Sequence, residues 1–209
     1  MAAMVPDQQT MASFVNVTQL LMSQENVIRK QAEETYKGYV DKNPSLVMTL
    51  LVNILQAGDA AGTVQLRTFA PVLLRQLVAS PAKVGKLDKN VLELLQNQVI
   101  DVLGKETNSA IRTKLCHVVG SLVASYEQAS VGIEQRWANL LPFTLSLVNN
   151  TADGKSRELG LLLLSKLAEY AQGFVRNGKN HVFSALSNAF EVVAGSTLDG
   201  KVYLTQATI

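Results

Sequence analysis

The chain has 209 residues, 47% of them hydrophobic and 17% charged, with a formal net charge of +2. That is ample apolar material for a continuous core, and too little positive charge to argue for direct nucleic-acid binding from bulk electrostatics. Aromatic residues make up only 6%, so the interior is expected to be mainly Leu, Val and Ala, as packed helices require.

In chain order, a first helix is expected through Phe14, Val17, Leu20 and Leu21, turning at Ser23 to Asn26 into a second with Ile28, Ala32, Thr35, Tyr36 and Tyr39 on one stripe. Another first helix starts after Asn43-Pro44, where a proline costs no helical bond. It carries Val47, Leu50, Leu51, Ile54 and Leu55, and the loop Gly58 to Gly62 leads to its partner. That partner holds Leu66, Ala70, Leu73, Leu74 and Leu77, with Pro71 predicting a kink. Ser80 to Leu87 reads as a loop, and Asp88 as the cap of a helix with Val91, Leu95, Val99, Val102 and Leu103.

The third second helix starts near Asn108-Ser109 and has Ile111, Leu115, Val118, Val119 and Leu122 at i, i+4, i+7, i+8 and i+11. After Tyr126 a polar link runs to Gly132. A helix with Trp137, Leu140, Leu141, Leu145 and Val148 follows, which Pro142 is expected to bend. Asn149 to Gly154 is a turn by composition. The fourth second helix holds Leu161 to Leu164 and is closed by Gly173. A fifth first helix carries Val182, Phe183, Leu186, Phe190 and Val193, ending at Gly195, and its partner begins at Gly200-Lys201.

The second helices share one register: a basic residue directly follows the first stripe position at Arg29, Arg67, Arg112, Arg157 and Lys201. Such a period matches the roughly 40–47 residues of HEAT or armadillo units. The expected fold is all-α, a right-handed α-α superhelix (solenoid) of HEAT repeats with about four and a half helical hairpins. Repeats fall at about 11–41, 44–79, 88–126, 134–171 and 175–209. Ile209 lies inside the fifth second helix, so residues 1–209 are expected to be the N-terminal fragment of a longer array.

Catalytic patterns are wanting. Cys116 is the only cysteine, which excludes an intrachain disulfide and fits a reducing compartment. It neighbours His117, but adjacent helical residues point away from each other, and neither His117 nor His181 has metal-ligand spacing. Lys83-Val84-Gly85-Lys86 lacks the first glycine and the Ser/Thr of a phosphate loop. Two glycosylation triplets, at Asn16 and Asn149, mean nothing without a secretory signal, and residues 1–10 have no such signal. The longest apolar-leaning run, Leu46 to Ala57, is about twelve residues, where a membrane span needs about 20. The reading is a non-enzyme with no cofactor, metal or membrane, located in cytoplasm or nucleus.

The remaining surface is the basic row Arg29, Lys30, Arg67, Arg75, Arg112, Lys114 and Arg157. It is either a partner site on a concave wall or, for the arginines in register, a set of links that order the stack. The cluster Lys83, Lys86 and Lys89 reads as a solvated loop.

Three segments go beyond a generic repeat. Val27 to Tyr36 (VIRKQAEETY), Leu66 to Leu77 (LRTFAPVLLRQL) and Glu106 to Cys116 (ETNSAIRTKLC) resemble the first three second helices of importin-beta family karyopherins, over roughly residues 11–148. The resemblance implies a nuclear import receptor. Its N-terminal repeats would bind Ran-GTP on the second-helix face, releasing cargo proteins with nuclear localisation signals that are held mainly by repeats elsewhere. Phe-Gly nucleoporins would bind the outer face, and the location would be cytoplasm and nucleus, including the pore. The Ran-facing positions carried over are Arg29, Lys30, Arg67, Arg75, Arg112 and Lys114. Two features depart from the family: the basic Lys83–Lys89 segment, and a slightly basic balance where receptors for basic signals present acidic concave surfaces. The alternative is a repeat scaffold of the phosphatase-subunit or adaptin type. A tubulin-binding domain would place an aromatic and basic residues where this chain has Ser23-Gln24-Glu25-Asn26.

Overall fold

The computed structural model describes residues 6–57, 63–129, 136–150 and 152–197, with side chains through 189. The Gly58–Gly62 loop, the link to Gly132, the side chains of Phe190 and Val193, and the fifth second helix from Lys201 lie outside the described residues. The described residues are helical, without strands. In order they form α1 (Gln8–Leu21), α2 (Asn26–Lys42), α3 (Pro44–Gln56), α4 (Thr63–Val78), α5 (Pro81–Val84) and α6 (Lys89–Lys105). Then come α7 (Ser109–Gln128), α8 (Leu140–Val148), α9 (Gly154–Tyr170), α10 (Gln172–Asn177) and α11 (Lys179–Thr197). The chain divides into two compact units, Met1–Val118 and Val119–Ile209.

In the first unit, α1 pairs with α2 and α3 with α4, and the first helices pack in series, α3 lying against both α1 and α6. The stripe expected of the second helices is the surface that is buried. Leu66, Ala70, Leu73, Leu74 and Leu77 are at most 6% exposed, and Ile111, Leu115 and Val118 at most 1%. The first hairpin has fewer aliphatics and closes on aromatics: Phe14 meets Tyr36 at 6.2 Å and Tyr39 edge-on at 5.7 Å between ring centres. Tyr36 buries its hydroxyl without a partner, and burial pushes its pKa up. Thr35, assigned to the same stripe, is exposed and bonds back to the Gln31 carbonyl.

Helix starts follow side-chain chemistry. Asp7 accepts the Thr10 N–H at 2.8 Å, Asn43 that of Leu46 at 3.0 Å with Pro44 in the first turn, and Asn108 that of Ala110 at 3.0 Å. Asp88 is different. It occupies the cap position of α6 without a side-chain cap bond, and its own N–H donates to Ser45 Oγ at 3.0 Å, tying the start of α6 to that of α3.

The segment read as a loop from Ser80 to Leu87 contains the short helix α5. Ser80 caps it, and Val84 and Leu87 are 7% and 8% exposed, so two buried anchors wind the chain into a turn. Lys83 and Lys86 stay exposed on it, and Lys89 is exposed at the start of α6. α4 runs continuously through Pro71, giving up only the bond that a Pro71 N–H would make to the Arg67 carbonyl.

In the second unit, α8 packs on α9, and α11 packs on α8. Val148, Leu164, Val182, Ala185 and Ala189 form a buried cluster. Gly160 lets α8 and α9 touch: a Cβ there would lie 2.7 Å from the Val148 backbone nitrogen and 2.9 Å from the Leu147 Cβ. Gly120 does the same for α7 and α9, against the Tyr170 ring and the Lys166 carbonyl.

Four expectations are corrected here. Trp137 precedes α8 instead of belonging to it, buried at 5% exposure in the turn where the Leu140 N–H donates to its carbonyl. A helix continuing back from Pro142 would drive its ring into the Ala138 carbonyl; starting at Leu140 removes that clash, leaves Pro142 in the first turn and requires no bend. Gly173 does not close α9, which ends at Tyr170; it lies in α10, where Glu127 approaches so closely that a Cβ would come 2.9 Å from its carboxylate. Phe183 is 71% exposed and Leu20 38%, so neither belongs to the buried stripe.

Candidate partner surface on the second helices

The end of an α-helix leaves about four carbonyls without a helical partner and concentrates partial negative charge there. The recurring arginine answers that need. Arg29 Nη1 donates to the Ser23 carbonyl, just past α1, at 3.3 Å. Arg67 Nε donates to the Leu55 carbonyl, in the last turn of α3, at 3.1 Å. Arg157 Nη2 donates to the Asn150 carbonyl, just past α8, at 3.2 Å. In three hairpins, then, the residue after the first stripe position turns back to the end of the preceding helix: Arg67 satisfies one of its last carbonyls, and Arg29 and Arg157 hold the chain two residues beyond it.

Arg67 goes further. Its guanidinium forms an ion pair with Glu106, in a pair whose side chains are 9% and 2% exposed. Glu106 also accepts the Asn108 N–H at 2.8 Å, so one buried carboxylate joins the α3–α4 hairpin to the start of α7. Lys114 makes the second link, donating from Nζ to the Thr68 carbonyl at 3.1 Å. Arg29 is more open, 40% exposed, and also bonds Asn26 Oδ1 at 2.5 Å and pairs with Glu33 at 3.8 Å.

The six residues assigned to a partner therefore separate by environment. Arg67 is buried, and Lys114 is part-buried and bonded to a neighbouring helix. Lys30 and Arg75 are exposed on α2 and α4, and Arg112 is half-buried on α7. The links that order the helices were legible as a possibility in the arginine register. Glu106 was not foreseen, because its partner lies in the previous hairpin and no local pattern marks it. Glu127 was missed for the same reason: it accepts the Phe174 N–H at 2.5 Å and so caps α10 from the end of α7.

Cys116 is fully buried on α7, His117 is half-buried beside it, and His181 is exposed on α11. Among the described residues no three His, Cys, Asp or Glu side chains gather as metal ligands, and no helix is long and apolar enough to cross a membrane. The class established by these contacts is an all-α protein of consecutively packed helices. No protein-family model matches the chain.

Proposed function

We propose that the chain is a HEAT-type solenoid segment of a nuclear import receptor of the importin-beta family, binding Ran-GTP on its second-helix face to control cargo release. Within that family the segment from Glu106 to Cys116 most resembles importin-5. The observation that carries the reading is the likeness of three second-helix segments, Val27–Tyr36, Leu66–Leu77 and Glu106–Cys116. Two things support it: those segments lie in α2, in α4 and at the start of α7, and Lys114 of α7 donates to the Thr68 carbonyl of α4. Exposed Lys30 and Arg75 and half-buried Arg112 supply the basic contacts. Cargo proteins and Phe-Gly nucleoporins would engage mainly other repeats, with the protein moving between cytoplasm and nucleus.

A scaffold of the phosphatase-subunit or adaptin type is the second reading, and one observation favours it. Arg29, Arg67, Lys114 and Arg157 all have partners within the chain, as a stack held together for its own sake would have. Titration against Ran loaded with GTP and, separately, with GDP decides between them. Binding to the GTP form alone supports the receptor. Equal or absent binding by a chain shown to be folded supports the scaffold.

A further inference from the structure

Arg112 stands at the recurring arginine position, yet its side chain does not reach back to the preceding helix and makes no hydrogen bond or ion pair among the described residues, its backbone N–H alone donating to the Asn108 carbonyl. The Glu106 carboxylate, just past the end of α6, is already engaged by Arg67 and the Asn108 N–H and is almost wholly covered. Arg112 is left as a permanently charged fork of N–H donors on a half-buried side chain. Lys114, two residues on, has its ammonium on the Thr68 carbonyl. That contact holds α7 against α4 and leaves a single unspent cation at this end of the helix.

We propose that Arg112 is the anchor for a carboxylate of the protein partner, while Arg29, Arg67 and Arg157 are framework residues that make no partner contact. A lone guanidinium matches one carboxylate in charge and in its two-pronged geometry, whereas phosphate sites gather several cations or open backbone N–H groups. This rests on the receptor reading above and divides the labour within it.

The test is calorimetric titration of the 209-residue chain with GTP-loaded Ran, using wild type, Arg112→Met, Arg112→Glu and the control Lys86→Glu on the exposed α5 turn. A charge-assisted bond of this kind is worth about 1.5–3 kcal/mol, so Arg112→Met is expected to weaken binding by about tenfold or more and Arg112→Glu by more still. Lys86→Glu is expected to stay within about twofold, as a charge outside the contact does. Thermal melting of Arg112→Met is expected to match wild type, because no intrachain bond is lost. Unchanged affinity in Arg112→Glu overturns the inference and leaves the receptor reading standing. A large loss of melting temperature in Arg112→Met overturns it as well, since Arg112 would then be framework. Failure of wild type to bind overturns both.

Discussion

Replacing Arg67 with Met retains the length of the aliphatic stem and removes the charge. The Leu55 carbonyl loses its donor, and Glu106 keeps only the Asn108 N–H while its side chain stays 2% exposed. Stranding one member of a buried pair costs about 3–5 kcal/mol, and an unsatisfied buried carbonyl about 1–3 more, with overlap between the two. An expected loss of about 4 kcal/mol corresponds to a fall in melting temperature of roughly 8–16 °C for a chain of this size. The double variant Arg67→Met with Glu106→Gln removes the stranded charge and keeps an acceptor for Asn108. It should recover at least half of the loss, giving a coupling energy of about 2 kcal/mol in a urea-melt double-mutant cycle. A cost below about 1 kcal/mol for Arg67→Met, or strict additivity with Glu106→Gln, would mean that the pair behaves as a solvated surface pair, and the buried link between hairpins would be refuted.

Gly160→Ala should destabilise by about 1–3 kcal/mol despite alanine's better helix propensity, because the methyl meets the α8 backbone. Gly38→Ala, in α2 with nothing within 4 Å of the new methyl, should stabilise by about 0.5–1 kcal/mol. Urea melts of both should show opposite signs. Gly173→Ala should destabilise the wild type but cost less in a Glu127→Ala background, since the carboxylate it meets is gone, and a double-mutant cycle measures that coupling. Hydrogen bonds from Ser156 and the Lys155 N–H hold the Asp153 pKa below 3.8. Its stabilising contribution is therefore present above that value and disappears as pH falls through the lower folded pKa. Asp153→Ala should be less stable than wild type at about pH 6, and the gap should narrow as the pH is lowered through and below the ordinary carboxylate range. A gap that persists in acid would assign the effect to packing.

The helical class and most helix positions were legible because apolar spacing survives in the described second helices. Ile111, Leu115, Val118, Val119 and Leu122 could be placed on one face from their offsets, and all prove buried. The helix starts at Asn43-Pro44 and near Asn108-Ser109 were equally local, whereas Asp88, the one cap expected, makes no side-chain cap bond. The expectations that failed fail for different reasons. Trp137 has apolar neighbours at helical spacing, but it lies in the turn before α8, which starts at Leu140 with Pro142 in its first turn. Gly173 resembles a helix terminator, but it lies within α10 against a carboxylate 46 residues earlier in the chain. Phe183 fits the stripe by spacing and is exposed all the same.

By itself the sequence determined the helical periodicity, the recurrence of an arginine at one register position, and the resemblance that suggests a receptor. Those properties reside in residue types and intervals, which need no third dimension. Only the tertiary structure decided which arginines are consumed. Arg29, Arg67 and Arg157 reach carbonyls at or just past the end of the preceding helix and Arg67 also takes Glu106, whereas the Arg112 side chain in the same register makes no such bond among the described residues. The register of the arginine is the same at the four sites. What separates them is the supply of acceptors within reach of a guanidinium, and packing sets that supply.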